Sequence, residues 1–220
     1  MKIAFLQEFS QAPKNTMIFD ELTAVATKHG HTVVNTGMLK PLLDQDVPEA
    51  YTTDNPRLTY VQVGIQAAIL LNSKAVDFVI TGCGTGQGAL MAANAFPGVM
   101  CGLVVDPTDA YLYLQVNNGN AISLPFAKGF GWGGELNLRY IFEQALSNPV
   151  GNGYPAERKE SQNKNAAILA EMKVAASKPI VEALQSIDQS LVKECLTPHF
   201  MEVFLNGCQD EAMKAYITSL

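Results

Sequence analysis

Apolar positions along the chain alternate between two periods. Residues 2–7 are a compact apolar run, and residues 15–29 place Met17, Ile18, Leu22, Val25 and Ala26 on one helical face before Gly30. Short apolar runs recur at 32–35, 76–80, 99–105 and 120–124, and each predicts a strand. Between them, 58–71, 89–95, 108–115 and 135–147 carry helical spacing. Five strands alternating with helices predict an α/β domain over residues 1–155, its parallel sheet covered on both faces.

From about residue 156 the pattern is helical only, with predicted helices at 160–176, 179–195 and 198–219, and junctions at Lys178-Pro179 and Thr197-Pro198. Residues 156–220 are read as a C-terminal extension that packs on the core or on a partner subunit. Ile180, Ala183, Leu184, Ile187 and Leu191 form its apolar stripe, which fits either use. Residues 37–57, with Lys40, Pro41, Pro48, Pro56 and Arg57, read as one long loop, and loops of that length are often functional.

Charge and cysteine usage narrow the partners. A formal net charge of −6 with no basic run argues against nucleic acid. No apolar run reaches the ~20 residues of a membrane span, and the first residues read as a strand, not a signal peptide. Cys83, Cys101, Cys195 and Cys208 have no C-x-x-C spacing, so neither zinc nor a disulfide framework is expected, and the cytoplasm is the expected compartment.

The segment Thr81-Gly82-Cys83-Gly84-Thr85-Gly86-Gln87-Gly88 holds the candidate chemistry. It reads as a glycine-rich turn between a strand and a helix, where backbone amides and the helix dipole favour an anion. The same field favours a thiolate at Cys83. The glycines alternate, so the segment fits neither the dinucleotide fingerprint nor a Walker loop. A purely structural turn is the competing reading. In an open parallel sheet, ligands bind beyond the carboxyl ends of the strands at the topological switch point, and this turn follows a strand end.

Residues 77–94, with Pro97-Gly98-Val99, Asp106 and the segment 117–124, resemble the type B ribose-5-phosphate isomerases and galactose-6-phosphate isomerase subunits. The resemblance runs to about residue 165. It implies a Rossmann-like three-layer α/β/α sandwich with a five-stranded parallel sheet, and aldose–ketose isomerisation of a small sugar phosphate through a cis-enediolate, without a cofactor or metal. Under it Cys83 is the base, and the amides of Gly84, Thr85, Gly86 and Gly88 stabilise the enediolate. Thr85 bonds a substrate oxygen or caps the helix. Asn117 holds a substrate hydroxyl or serves as a turn residue. The resemblance also implies a homodimer or homotetramer with shared active sites, in which Arg158 grips the substrate of the other subunit.

The departures from that pattern are specific. Where the family reads Ser-Asp-His-Ala, this chain has Gln7-Glu8-Phe9-Ser10, so Glu8 stands for the aspartate as a candidate catalytic residue beside Cys83 and Thr85, and a histidine is lost. Val116 stands where the family has its ring-opening histidine, and Gln162 stands for one of two phosphate-gripping arginines. His29, His31 and His199 lie at no matched position. An open-chain acidic sugar such as 4-deoxy-5-hexosulose uronate needs no ring opener, and it is the alternative substrate. The loop at 37–57, with Lys40 and Arg57, and the segment 126–132 are expected to reshape the pocket; Lys128 beside Trp132 either binds the acid group or belongs to a packed loop, and Asp106 either shapes the pocket or starts a helix. A non-catalytic sugar-binding module and a cysteine-nucleophile enzyme are the competing classes.

Overall fold

A computed structural model of the chain describes residues 1–38 and 56–220. The predicted loop at 37–57, with Lys40, lies mostly outside them; Arg57 lies within. Five parallel strands form one sheet: β1 (Lys2–Gln7), β2 (Thr32–Asn35), β3 (Phe78–Cys83), β4 (Cys101–Leu103) and β5 (Ala121–Pro125), in the order β2-β1-β3-β5-β4. The order reverses between β1 and β3, which makes their carboxyl ends the switch point.

Strand alternation divides the core in two. Ile3, Phe5, Phe78 and Ile80 face α1 (Asn15–Lys28), α4 (Pro107–Asn117) and α5 (Gly134–Leu146). Ala4, Leu6 and Val79 face α2 (Tyr60–Asn72) and α3 (Gln87–Asn94). Thr59 starts α2 with a capping box: its N–H donates to Gln62 Oε1 at 2.9 Å and its hydroxyl oxygen accepts from Val61 N–H at 3.3 Å. Asp106 proves to be the N-cap of α4, accepting from the Asp109 N–H at 2.9 Å.

The tail differs from its predicted form. Residues 179–195 divide into α7 (Ile180–Gln185) and α8 (Gln189–Glu194), and 198–219 into α9 (Pro198–Gly207) and α10 (Glu211–Thr218), after α6 (Lys159–Ala175). Asp188 and Asp210 cause the breaks. Each leaves helical geometry and caps the next helix, accepting from Ser190 N–H and Met213 N–H, both at 2.9 Å. Leu184, Val192, Phe200, Phe204 and Met213 join the α2 core cluster, and Ile180, Ala183, Ile187 and Leu191 pack against it. The amphipathic stripe thus covers the chain's own core. By contrast α6 buries no residue, and leaves Ile168, Leu169, Met172 and Val174 exposed. Among the described residues no helix is long and apolar enough to cross a membrane.

Candidate active site

The glycine-rich segment is shorter as a turn than its sequence suggests. Thr81, Gly82 and Cys83 belong to β3, paired with Ser123, Leu124 and Pro125, and only Gly84–Gly86 form the turn before α3. Gly82 lies in the strand, and that position requires glycine because a Cβ there would lie 2.3 Å from the Leu124 carbonyl oxygen and 2.4 Å from the Phe126 ring. Gly86 needs glycine twice over: its φ is +76°, and a Cβ would meet Leu103 at 2.8 Å and the Leu124 backbone at 2.9 Å. The Ser123 hydroxyl, donating to the Gly86 carbonyl at 2.6 Å, fixes the turn from the sheet side.

The result is a row of available donors. Among the described residues, the N–H groups of Thr85, Gly86 and Gly88 have no hydrogen-bond partner. The Gln87 N–H is taken by the Thr85 hydroxyl at 3.3 Å, so Thr85 does act as a local cap, with its side chain exposed. Cys83 is the last strand residue before these amides and is 8% exposed. Strand alternation aims it, like Val79 and Thr81, at the α2–α3 side. Its carbonyl accepts from the Phe126 N–H at 2.9 Å, and that of Gly84 accepts from Ala127 N–H at 3.0 Å and Lys128 N–H at 2.8 Å.

Two further segments wall this crevice. On the β1 side, Glu8 is 3% exposed and caps a 3₁₀ turn over Phe9–Lys14, accepting from Ser10 N–H at 2.7 Å and Ser10 Oγ at 2.5 Å. Gln11 approaches Gly84: its amide nitrogen lies 3.8 Å from where a Gly84 Cβ would stand. Lys14 donates to Gln11 Oε1 at 2.7 Å and to the Phe126 carbonyl, and its ammonium lies 4.9 Å from the Phe130 ring centre. Burial lowers the Lys14 pKa. On the α2 side, the Phe9 N–H donates to the Leu58 carbonyl at 2.8 Å, and the Arg57 guanidinium lies 3.7 Å from the Phe9 ring centre. Two residues on, the Tyr60 ring packs on Gly88, 3.1 Å from a Cβ there. Gln11, Lys14 and Tyr60 carried no signal in sequence, because each reaches the turn only through the fold.

Other site candidates lie elsewhere. Asn117 ends α4 beside the start of β5, whereas Cys83 pairs with Pro125 at the end of β5, so the whole strand, about 13 Å, separates the two levels. Arg158 is exposed near that same amino edge, where Gly151 and Gly153 bond the carbonyls of Leu114 and Gln115. One chain therefore does not bring Asn117 or Arg158 to Cys83. Gln162 is a strap, its side chain bonding the Tyr154 N–H at 2.9 Å and carbonyl at 2.7 Å. Lys128 lines a cavity of about 290 Å³ with Phe130, Asn137, Leu138 and Ile141, on the α5 face of the sheet and away from the Cys83 side chain. His29 bonds Glu143 at 2.9 Å and His31 bonds the Leu146 carbonyl at 3.1 Å, which is structural use of both.

Comparison with known proteins identifies the family. A family model described as Ribose/Galactose Isomerase matches residues 23–136, and a second, described as Ribose-5-phosphate isomerase, matches 175–220. A ribose-5-phosphate isomerase from Vibrio parahaemolyticus is 52% identical, with all of this chain and 98% of that one covered, at a TM-score of 0.91. A 4-deoxy-L-threo-5-hexosulose-uronate ketol-isomerase, solved with a tartrate, is 50% identical over the same shares, also at 0.91. The type B ribose 5-phosphate isomerase of Trypanosoma cruzi shares the fold at 19% identity and a TM-score of 0.59, over 80% of this chain and 99% of that one. Identity of this level over the full chain, on a fold whose switch point carries the glycine turn, makes the chain a sugar isomerase of the ribose/galactose isomerase family.

Proposed function

We propose that the chain interconverts an aldose and a ketose by moving one proton between adjacent carbons, with Cys83 as the base. The Cys83 thiolate takes the proton from the carbon beside the carbonyl and returns it to the neighbouring carbon. A hydroxyl proton passes between the two oxygens, so the reaction balances without a cofactor. The observation that carries this reading is the row of N–H groups at Thr85, Gly86 and Gly88 that have no partner among the described residues, one turn of backbone from Cys83. Such donors stabilise an enediolate more than its ground state, because charge develops where they already point. Gly84 leaves the approach open, the Thr85 hydroxyl stands at the rim, and Glu8 fixes the β1 wall through Ser10.

The substrate in this proposal is an open-chain acidic sugar of the deoxy-uronate type. Phe9 and Val116 stand where the family carries histidines, and an open-chain substrate needs no ring opener. A sugar phosphate is the second reading, favoured by the 52% identical relative and by Arg158. Asn117 and Arg158 enter the site from a second copy, in a homodimer or homotetramer, because they lie at the wrong edge of their own sheet. The apolar side chains that α6 leaves exposed support such pairing. Four free thiols suit a reducing, cytoplasmic setting.

The test is deuterium incorporation in heavy water, with deoxy-uronate ketoses beside pentose and hexose phosphates. Cys83→Ala is expected to lose about 10²–10⁴-fold or more of the exchange rate while keeping its fold. Undiminished exchange in that variant would remove Cys83 from the mechanism. Binding with no exchange in the natural chain would favour a binding module.

A further inference from the structure

Phe9 is a departure from the family pattern, and the structure gives it a task. Its ring carries the Arg57 guanidinium at 3.7 Å from the centroid, a cation–π arrangement. The two segments are tied by the Phe9 N–H to Leu58 carbonyl bond at 2.8 Å, so the stack does not depend on side chains alone. It stands at the mouth of the switch point. Phe9 lies two residues beyond Gln7, which pairs with Gly82, next to Cys83. Tyr60, three residues beyond Arg57, packs on Gly88 at the start of α3. The guanidinium is exposed, and among the described residues it makes no ion pair.

We infer that Arg57, held over the Phe9 ring, grips the carboxylate of the substrate and so sets the enzyme's preference for a sugar acid. This rests on the isomerase reading of Cys83 and the glycine turn. A guanidinium fork matches a carboxylate through two parallel N–H···O bonds, which ammonium cannot imitate. Contact with the ring restricts the guanidinium before the substrate arrives, so less freedom is lost on binding. A carboxylate brings one negative charge and Arg57 brings one positive charge. A phosphate dianion needs more, and among the described residues no second cation is paired with this ring.

The test measures binding and turnover separately, in the full-length chain. Gluconate, an inert sugar acid, is titrated by calorimetry beside sorbitol, its neutral counterpart, and inorganic phosphate. Gluconate is expected to bind better than either, and Arg57→Gln to weaken it about 10- to 100-fold without moving sorbitol. Arg57→Lys is expected to recover little of the loss. Phe9→Leu keeps an apolar side chain but removes the ring face, and is expected to weaken gluconate about three- to tenfold. In turnover of the deoxy-uronate, Arg57→Gln is expected to raise KM by the same factor and leave kcat within about threefold. Equal gluconate affinity in the natural chain and Arg57→Gln would overturn the inference, as would phosphate binding that outranks gluconate. Loss of exchange in Cys83→Ala with Arg57→Gln unchanged would keep the isomerase and discard the grip. Gluconate binding lost in Arg57→Gln with no exchange on any sugar would do the reverse.

Discussion

The sheet carries two glycine-rich strand-to-helix turns, and they are built on opposite principles. Both follow the carboxyl end of a strand, and both hand over to a helix at a left-handed glycine: Gly86 before α3, φ +76°, and Gly133 before α5, φ +78°. Around the first, Gly82, Gly86 and Gly88 have backbone or ring atoms where a Cβ would stand. Around the second, among the described residues, Gly129, Gly131 and Gly133 have nothing within 4 Å, and only Gly134, already in the helix, meets a ring, Phe130 at 3.1 Å. The second turn bonds two of its donors internally, Phe130 N–H on the Ala127 carbonyl at 3.1 Å and Gly134 N–H on the Gly131 carbonyl at 2.9 Å, and among the described residues the N–H groups of Gly129, Gly131 and Gly133 have no partner, like those of the first turn. Glycine count and free donors therefore do not separate the two turns. Close packing does: at Gly82 and Gly86 it fixes the backbone that carries the amides next to Cys83.

The sharpest way to break this contrast is Gly86→Ala. A left-handed non-glycine residue combined with overpacking is expected to cost about 2–4 kcal/mol, measured by urea unfolding, and to remove most of the exchange activity. The matching change in the second turn, Gly129→Ala, meets only the positive φ of +72°, and about 1–2 kcal/mol is expected with activity kept. Gly131→Ala has neither obstacle, and a change within about 0.5 kcal/mol is expected. If Gly131→Ala abolished exchange, the two turns would share one function and the contrast would fail.

Smaller still is the pH signature of the helix behind the second turn. The two Arg139 hydrogen bonds to Glu21, each 2.7 Å, hold the Glu21 carboxyl below its ordinary pKa and join α5 to α1. A depressed carboxylate stabilises above its unfolded value, about 4.5, and that stability is lost as pH falls through the folded value. Glu21→Gln is thus expected to lower the thermal midpoint slightly at neutral pH, with the difference vanishing in acid. A difference that persisted there would make the contact packing and not charge.

Much of this was legible because burial writes a period into sequence. The unbroken apolar run Ile3, Ala4, Phe5 and Leu6 marks a strand covered on both faces, and Cys83 with its glycines marks a strand end. Gly82 misled because a strand glycine and a turn glycine look alike until the Phe126 ring is placed against one of them. Asp188 and Asp210 sat inside helical spacing, where a cap is hidden by apolar residues on both sides. Arg57 was readable as a cation near a loop, but its platform was not, since 48 residues separate it from Phe9 in the chain. Lys14 and Tyr60 reach the glycine turn by tertiary approach alone, which no local pattern encodes.

The burial of α2 sets an order of events during synthesis. Every residue from Gln62 to Leu71 is buried, so the helix has no face suited to water. One flank is covered by the sheet and α3, the other by α7–α10, including Phe200 and Phe204. The ribosome makes α2 well before this cover, with 127 residues between Asn72 and Phe200. At translation rates of ~5–20 residues per second, α2 waits on the order of ten seconds for its second wall. During that interval the nascent chain displays an apolar helix of the kind that chaperones hold. The last forty residues are, in this sense, the built-in replacement for that chaperone.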